Sequence, residues 1–109
     1  MAQFDVHRNI GKQREAIPFI VVVQSSLFDT YRRRVVVPLV RRSNLDRAAA
    51  FLDTPLNPVF TVKGIKVVLH PLEMVSVATG RLGEKVATLA SEGDRITGAM
   101  DELLTRAWA

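Results

Sequence analysis

Two valine triplets, Val21–Val23 and Val35–Val37, constrain this chain more than any other feature. β-Branched side chains are stiff at χ1 and pack well on a pleated surface, so each triplet reads as strand. The lack of alternation within them implies burial on both faces or packing in a small barrel. The strand patterns extend over Ile17–Val23 and Arg34–Val40. Ser25 to Tyr31 must then connect two neighbouring strands, and Asp29-Thr30 supplies the side-chain oxygens that favour a turn. Leu27 and Phe28 stand in that connector, where turns are ordinarily polar, which marks them as a candidate contact surface. The plainer alternative is that they plug the open end of the sheet. Pro38 lacks a backbone N–H, so it is expected at a bulge or an edge.

The remaining pattern adds strands and then helices. Gln3–Arg8 alternates apolar and polar residues as a short half-buried strand, and Asn9–Glu15 is a polar, basic loop. Val59–Val62 and Ile65–His70 flank Lys63-Gly64, a tight hairpin signal, and Met74–Ala78 adds another short strand, for five or six in all. Arg41–Leu52 carries Leu45, Ala48, Ala49 and Leu52 at helical spacing, with Pro55 and Pro58 closing off any continuation. From Leu82 the period changes: Leu82, Val86 and Leu89 suit a helix, and Ser91–Asp94 resembles a capping box opening a second. In that last helix Ile96, Met100, Leu103 and Ala107 form a stripe beside Leu104 and Trp108, while Gly98 would allow close approach of a neighbouring backbone. The fold class expected is mainly β with a C-terminal α-helix, in a single domain spanning 1–109.

Composition excludes several function classes. Without cysteine there is no disulfide, thiolate ligand or cysteine nucleophile, and cytoplasm is the default compartment. The longest apolar runs fall well short of the ~20 residues a membrane helix needs, and the start does not read as a signal peptide. His7, His70 and scattered serines and carboxylates show no catalytic or metal-ligating spacing, so neither an enzyme nor a cofactor is expected. Contact residues remain. The net charge is +4, and residues 1–54 carry all the excess, with nine Lys/Arg against five Asp/Glu. Eleven of the fifteen basic residues are arginine, whose planar donor fork suits carboxylates or phosphates. Trp108, the only tryptophan, is one residue from the C-terminus and either folds back into a core or is offered to a partner.

Gln24-Ser25, Asp29-Thr30, Arg33-Arg34, Val35, Val37 and Pro38-Leu39 resemble the central signature of the CcdB family, toxins of bacterial type II toxin–antitoxin pairs. The resemblance extends through Gln3-Phe4, Pro58-Val59, Gly83-Glu84, Val86-Ala87 and Leu89. It implies an SH3-like small barrel of the CcdB/MazF toxin type, with a five-stranded antiparallel sheet and a small accessory sheet, assembled as a homodimer. It also implies a non-catalytic protein that binds the DNA gyrase A subunit and traps the enzyme on cleaved DNA. A small acidic antitoxin (CcdA-like) would neutralise it, in a system serving plasmid maintenance and repressing its own operon, with no sequence-specific DNA binding by the toxin alone.

On this resemblance the gyrase-binding residues are Leu27, Phe28, Leu104, Trp108 and Ala109, with the tryptophan stacking on an arginine of gyrase. The antitoxin-binding residues are Arg32, Arg33, Arg34, Arg41 and Arg42. The chain departs from the family's usual Trp-Gly-Ile ending, since it stops at Trp108-Ala109. Two other readings stand beside this one. One is a MazF-like endoribonuclease, which shares the barrel but whose N-terminal signature is absent here; three successive strand arginines also alternate faces and cannot all line one groove. The other is a homologue that binds antitoxin without poisoning gyrase.

Overall fold

The computed structural model describes residues 2–45 and 53–105. Among these residues seven antiparallel strands, β1 (Asp5–Arg8), β2 (Phe19–Val22), β3 (Arg33–Arg41), β4 (Val59–Val62), β5 (Ile65–Leu69), β6 (Val75–Ala78) and β7 (Lys85–Thr88), precede one α-helix, α1 (Gly93–Leu104). They pair in the order β4-β5-β3-β2-β1-β7, with β6 also on β3. The result is a curled antiparallel sheet, a half-barrel with the helix packed into it. Among the described residues no helix is long and apolar enough to cross a membrane.

The nine-residue β3 is the spine. Along one edge it pairs with β2, from Phe19↔Leu39 to Val22↔Val36. Along the other it pairs first with β6, from Arg33↔Ala78 to Val36↔Val75, and then with β5, from Leu39↔Leu69 to Arg41↔Val67. Pro38 lies at the seam between those two partners. Its carbonyl accepts from His70 N–H at 3.1 Å, and because N–H and C=O of one strand residue point the same way, its missing donor faces the seam. The expectation of a bulge or sheet edge is therefore corrected: Pro38 is buried in the longest strand, at the one place where a partner is being exchanged.

The valine triplets behave as their composition requires. Val21 and Val37 join Val6, Phe19, Leu39, Phe60, Val62, Val67, Leu69, Leu89, Ile96 and Ala99 in the principal core. Val22, Val36 and Val68, which alternate to the opposite face, are equally buried. The Lys63-Gly64 hairpin forms as expected, with φ of 52° and 77°, the pair of left-handed residues that a two-residue turn of matching twist needs.

The second half differs from the helical reading. Leu82–Leu89 is not a helix. A 3-10 turn at Thr79–Arg81 leads through Gly83 into β7, which pairs with β1 through Asp5↔Thr88, Val6↔Ala87 and His7↔Lys85. Three apolar residues at i, i+4 and i+7 fit a helix by spacing alone, but here the unpaired edge of β1 captures the segment. A Cβ on Gly83 would lie 2.4 Å from the Arg8 carbonyl oxygen, so the chain passes flat against β1. Nor does the capping box form: Glu92 is the N-cap without a side-chain bond, and a 3-10 turn at Ala90–Glu92 runs into α1 instead. The helix expected over Arg41–Leu52 is likewise corrected at its start, where β3 continues to Arg41 and a 3-10 turn takes Arg42–Asn44. Residues 46–52 lie outside the described residues.

The close approach expected at Gly98 belongs to Gly93. Among the described residues, and apart from its chain neighbours and its own helix backbone, no atom lies within 4 Å of a Cβ built on Gly98, whereas one on Gly93 would meet the Phe4 ring at 2.6 Å. Phe4 adopts φ 70°, a conformation rare for a bulky side chain. It is held there because its N–H donates to Val22 O at 2.6 Å and its carbonyl accepts from Leu89 N–H at 2.9 Å. One residue thus stitches β2, the end of β7 and the start of α1. Gly98→Ala should raise stability by about 0.5–1 kcal/mol through helix propensity alone. Gly83→Ala, meeting backbone, should lower it by about 1–3 kcal/mol. Urea unfolding midpoints of the two variants check both signs.

Asp5, next to Phe4 in the chain, is buried and accepts a hydrogen bond from Ala2 N–H at 2.8 Å, with the Lys85 ammonium 3.4 Å away. Burial pushes its carboxyl pKa up, but the Ala2 hydrogen bond and Lys85 outweigh this and hold it below the ordinary value. A depressed carboxylate contributes stability that is complete above the unfolded value, about 4, and is lost as pH falls through the folded one. Asp5→Asn should therefore destabilise by about 1–3 kcal/mol at pH 7 and lose part of the acid dependence below pH 4. Thermal melts from pH 2 to 7 test this.

Candidate functional site: a clamped apolar loop

The connector between β2 and β3 is built by its own polar groups. Ser25 caps a 3-10 turn at Ser26–Phe28, its Oγ accepting from Leu27 N–H at 3.2 Å. Backbone bonds from Phe28 N–H to Ser25 O (3.0 Å), Asp29 N–H to Ser26 O (3.2 Å) and Tyr31 N–H to Phe28 O (3.0 Å) wind the loop tightly. Gln24 closes its neck: Nε2 donates to the carbonyls of Phe28 (3.2 Å) and Arg33 (3.3 Å), while Oε1 accepts from Val35 N–H at 3.1 Å.

Arg34 holds the loop from beneath. Only 4% exposed, its guanidinium donates from Nη1 to the carbonyls of Tyr31 and Arg33 and from Nη2 to that of Asp29 at 2.7 Å. Five donors in a rigid fork can gather carbonyls from a turn in a way that a lysine ammonium cannot. With the carbonyls of Phe28, Asp29 and Tyr31 bound by Gln24 and Arg34, the loop presents large apolar side chains: Leu27 is 85% exposed and Phe28 47%. They project from an ordered turn and do not plug the sheet end.

The other arginines named from the sequence do not form one cluster. Arg33 points to the opposite face from Arg34 and donates from Nε to Ser76 Oγ and from Nη2 to Ser76 O, both at 2.8 Å, fastening β6 to β3. Arg32 is exposed, with no side-chain bond among the described residues. Arg41 donates to Glu15 O at 3.0 Å, and Arg42 borders an open groove of about 780 Å³ that also takes in Asp53, Lys66, Arg95 and Asp101. At about 3.3 Å per strand residue, Arg33 and Arg41 stand roughly 26 Å apart. The basic set is thus split between the two ends of β3. Arg95 at the groove is already engaged by Glu92 (2.7 Å), Asp53 (3.3 Å) and the Val59 carbonyl (2.9 Å), and it lies 4.5 Å over the Phe60 ring.

Leu104, at the end of α1, is 63% exposed. Trp108 and Ala109 lie outside the described residues. Among those described, no group of three His, Cys, Asp or Glu is placed to hold a metal. His7 is buried in β1, where its Nδ1 donates to Gly83 O at 2.9 Å, a latch between β1 and the turn into β7. Sequence reasoning placed Gln24 and Arg34 in a signature without seeing their work, since side-chain bonds to carbonyls leave no periodicity to read.

Replacing Arg34 with lysine should release at least two of the three carbonyls. The expected cost is about 2–3 kcal/mol, with amide exchange at Phe28, Asp29 and Tyr31 accelerating far more than in β2 or β5. Denaturation and residue-resolved hydrogen exchange measure the two effects. Compared with models of known protein families, residues 3–105 match that of the CcdB protein. A search among curated proteins found no match.

Proposed function

Because the chain belongs to the CcdB family, whose members are non-enzymatic toxins of toxin–antitoxin pairs that generally target gyrase, we propose that it binds the DNA gyrase A subunit and stabilises the gyrase–DNA cleavage complex. The observation that carries this reading is the clamped loop. Leu27 and Phe28 are held out into solvent by a turn whose backbone carbonyls at Phe28, Asp29 and Tyr31 are bound by Gln24 and Arg34. Exposing two large apolar side chains on a tightly bonded loop has no benefit for stability, and it pre-orders a surface so that little conformational entropy remains to be lost on binding. Leu104, Trp108 and Ala109 form the second part of the surface in this proposal, and a homodimer would present it twice about its two-fold axis.

The partner that neutralises it is an acidic antitoxin of extended conformation. Arg32, Arg33, Arg41 and Arg42 lie at both ends of β3, a span that a flexible acidic segment can follow and a compact ligand cannot. Arg34 takes no direct part in that contact and acts by shaping the loop.

Purified protein incubated with gyrase and supercoiled DNA should inhibit supercoiling and accumulate cleaved complexes. A Leu27→Ala/Phe28→Ala double variant should keep its melting temperature and lose at least tenfold in potency. Removing Trp108-Ala109 should also weaken poisoning. Wild-type protein that neither inhibits supercoiling nor produces cleavage would overturn the gyrase reading, and specific RNA cutting would replace it with the ribonuclease one.

A further inference from the structure

We propose that Tyr31 is a third contact residue of the loop surface, so that the face offered to the gyrase A subunit is the triad Leu27, Phe28 and Tyr31. This inference rests on the reading of Leu27 and Phe28 as gyrase-facing residues. Tyr31 is 64% exposed, and the three side chains place three large apolar groups in solvent within five residues of one loop. Its ring meets that of Phe28 edge to face, with centroids 5.8 Å apart and planes at 88°, the geometry in which one ring's positive edge points at the other's negative face.

The backbone beneath the ring is held on both sides. Tyr31 N–H donates to Phe28 O at 3.0 Å, and Tyr31 O accepts from the buried Arg34 guanidinium. A tyrosine has only two side-chain torsions, and here its ring already has an aromatic neighbour that limits them. Binding therefore gains the burial of a large ring while losing little freedom, the combination that makes tyrosine frequent among residues dominating an interface. Its hydroxyl, at the far end, favours a partner face that is apolar with a hydrogen-bond acceptor at the margin. Arg32, next in the chain, is exposed, with no side-chain bond among the described residues.

Titration of the full-length gyrase A subunit with Tyr31→Ala, Tyr31→Phe, Leu27→Ala, Phe28→Ala and, as a remote control, Lys12→Ala tests the proposal, with a thermal melt of each variant. Tyr31→Ala is expected to weaken binding by about tenfold with an unchanged melting temperature, and Tyr31→Phe to recover most of that loss. If Leu27→Ala and Phe28→Ala weaken binding while Tyr31→Ala does not, the triad is wrong and the pair stands. If all three bind as wild type does, the loop is not the gyrase-facing surface and both readings fall.

Discussion

Backbone satisfaction along β3 is the constraint on which this structure depends. A strand buried on both faces must find partners for every N–H and C=O, since an unpaired buried group costs about as much as a lost hydrogen bond. Here β2 supplies one edge and β6 and β5 divide the other. The division leaves one position with nothing to donate to, and Pro38 occupies it. The strand's length then determines the layout of everything outside the core. Its N-terminal end carries the clamped loop and its C-terminal end the groove, so contact residues are separated by a strand that has no room to shorten.

The same strand couples packing to presentation. Arg34 is a strand residue whose alternation turns it inward, beneath the loop that precedes it, while Arg33 turns outward onto β6. A buried guanidinium is costly to desolvate and is retained only where several acceptors meet it. The carbonyls of Asp29, Tyr31 and Arg33 meet that need, and in doing so they leave Leu27, Phe28 and Tyr31 facing water. Stability of the loop and exposure of its apolar tip are therefore two results of one interaction.

Much of this was legible from residue types. The valine triplets, the Lys63-Gly64 turn and the part of the last helix's apolar stripe formed by Ile96, Met100 and Leu103 each follow from local physics: β-branching, left-handed torsions, helical spacing; Ala107 of that stripe lies outside the described residues. The family resemblance was legible too, because the central signature lies in one continuous stretch. β7 was not, although its residues are few. Leu82, Val86 and Leu89 satisfy a helical template over a window too short to discriminate, and only the free edge of β1 decides the matter. Gly83 and Gly93 were unreadable for a related reason: the atoms that would crowd a side chain there, Arg8 O and the Phe4 ring, are remote in sequence.

The candidate site divides along the same line. By itself the sequence determined that an apolar pair would sit in a connector, that arginine would dominate the charge, and which family the chain resembles, all properties of residue type and order. Tertiary structure alone decided how the arginines are engaged, since strand alternation and a nearby loop send Arg34 inside, while Arg32, before the strand, has no side-chain bond among the described residues. It alone separated Arg33 from Arg41 by the length of β3, and brought the Tyr31 ring against Phe28. Residue identity sets what a side chain can bond to, but only the fold determines which acceptors come within reach.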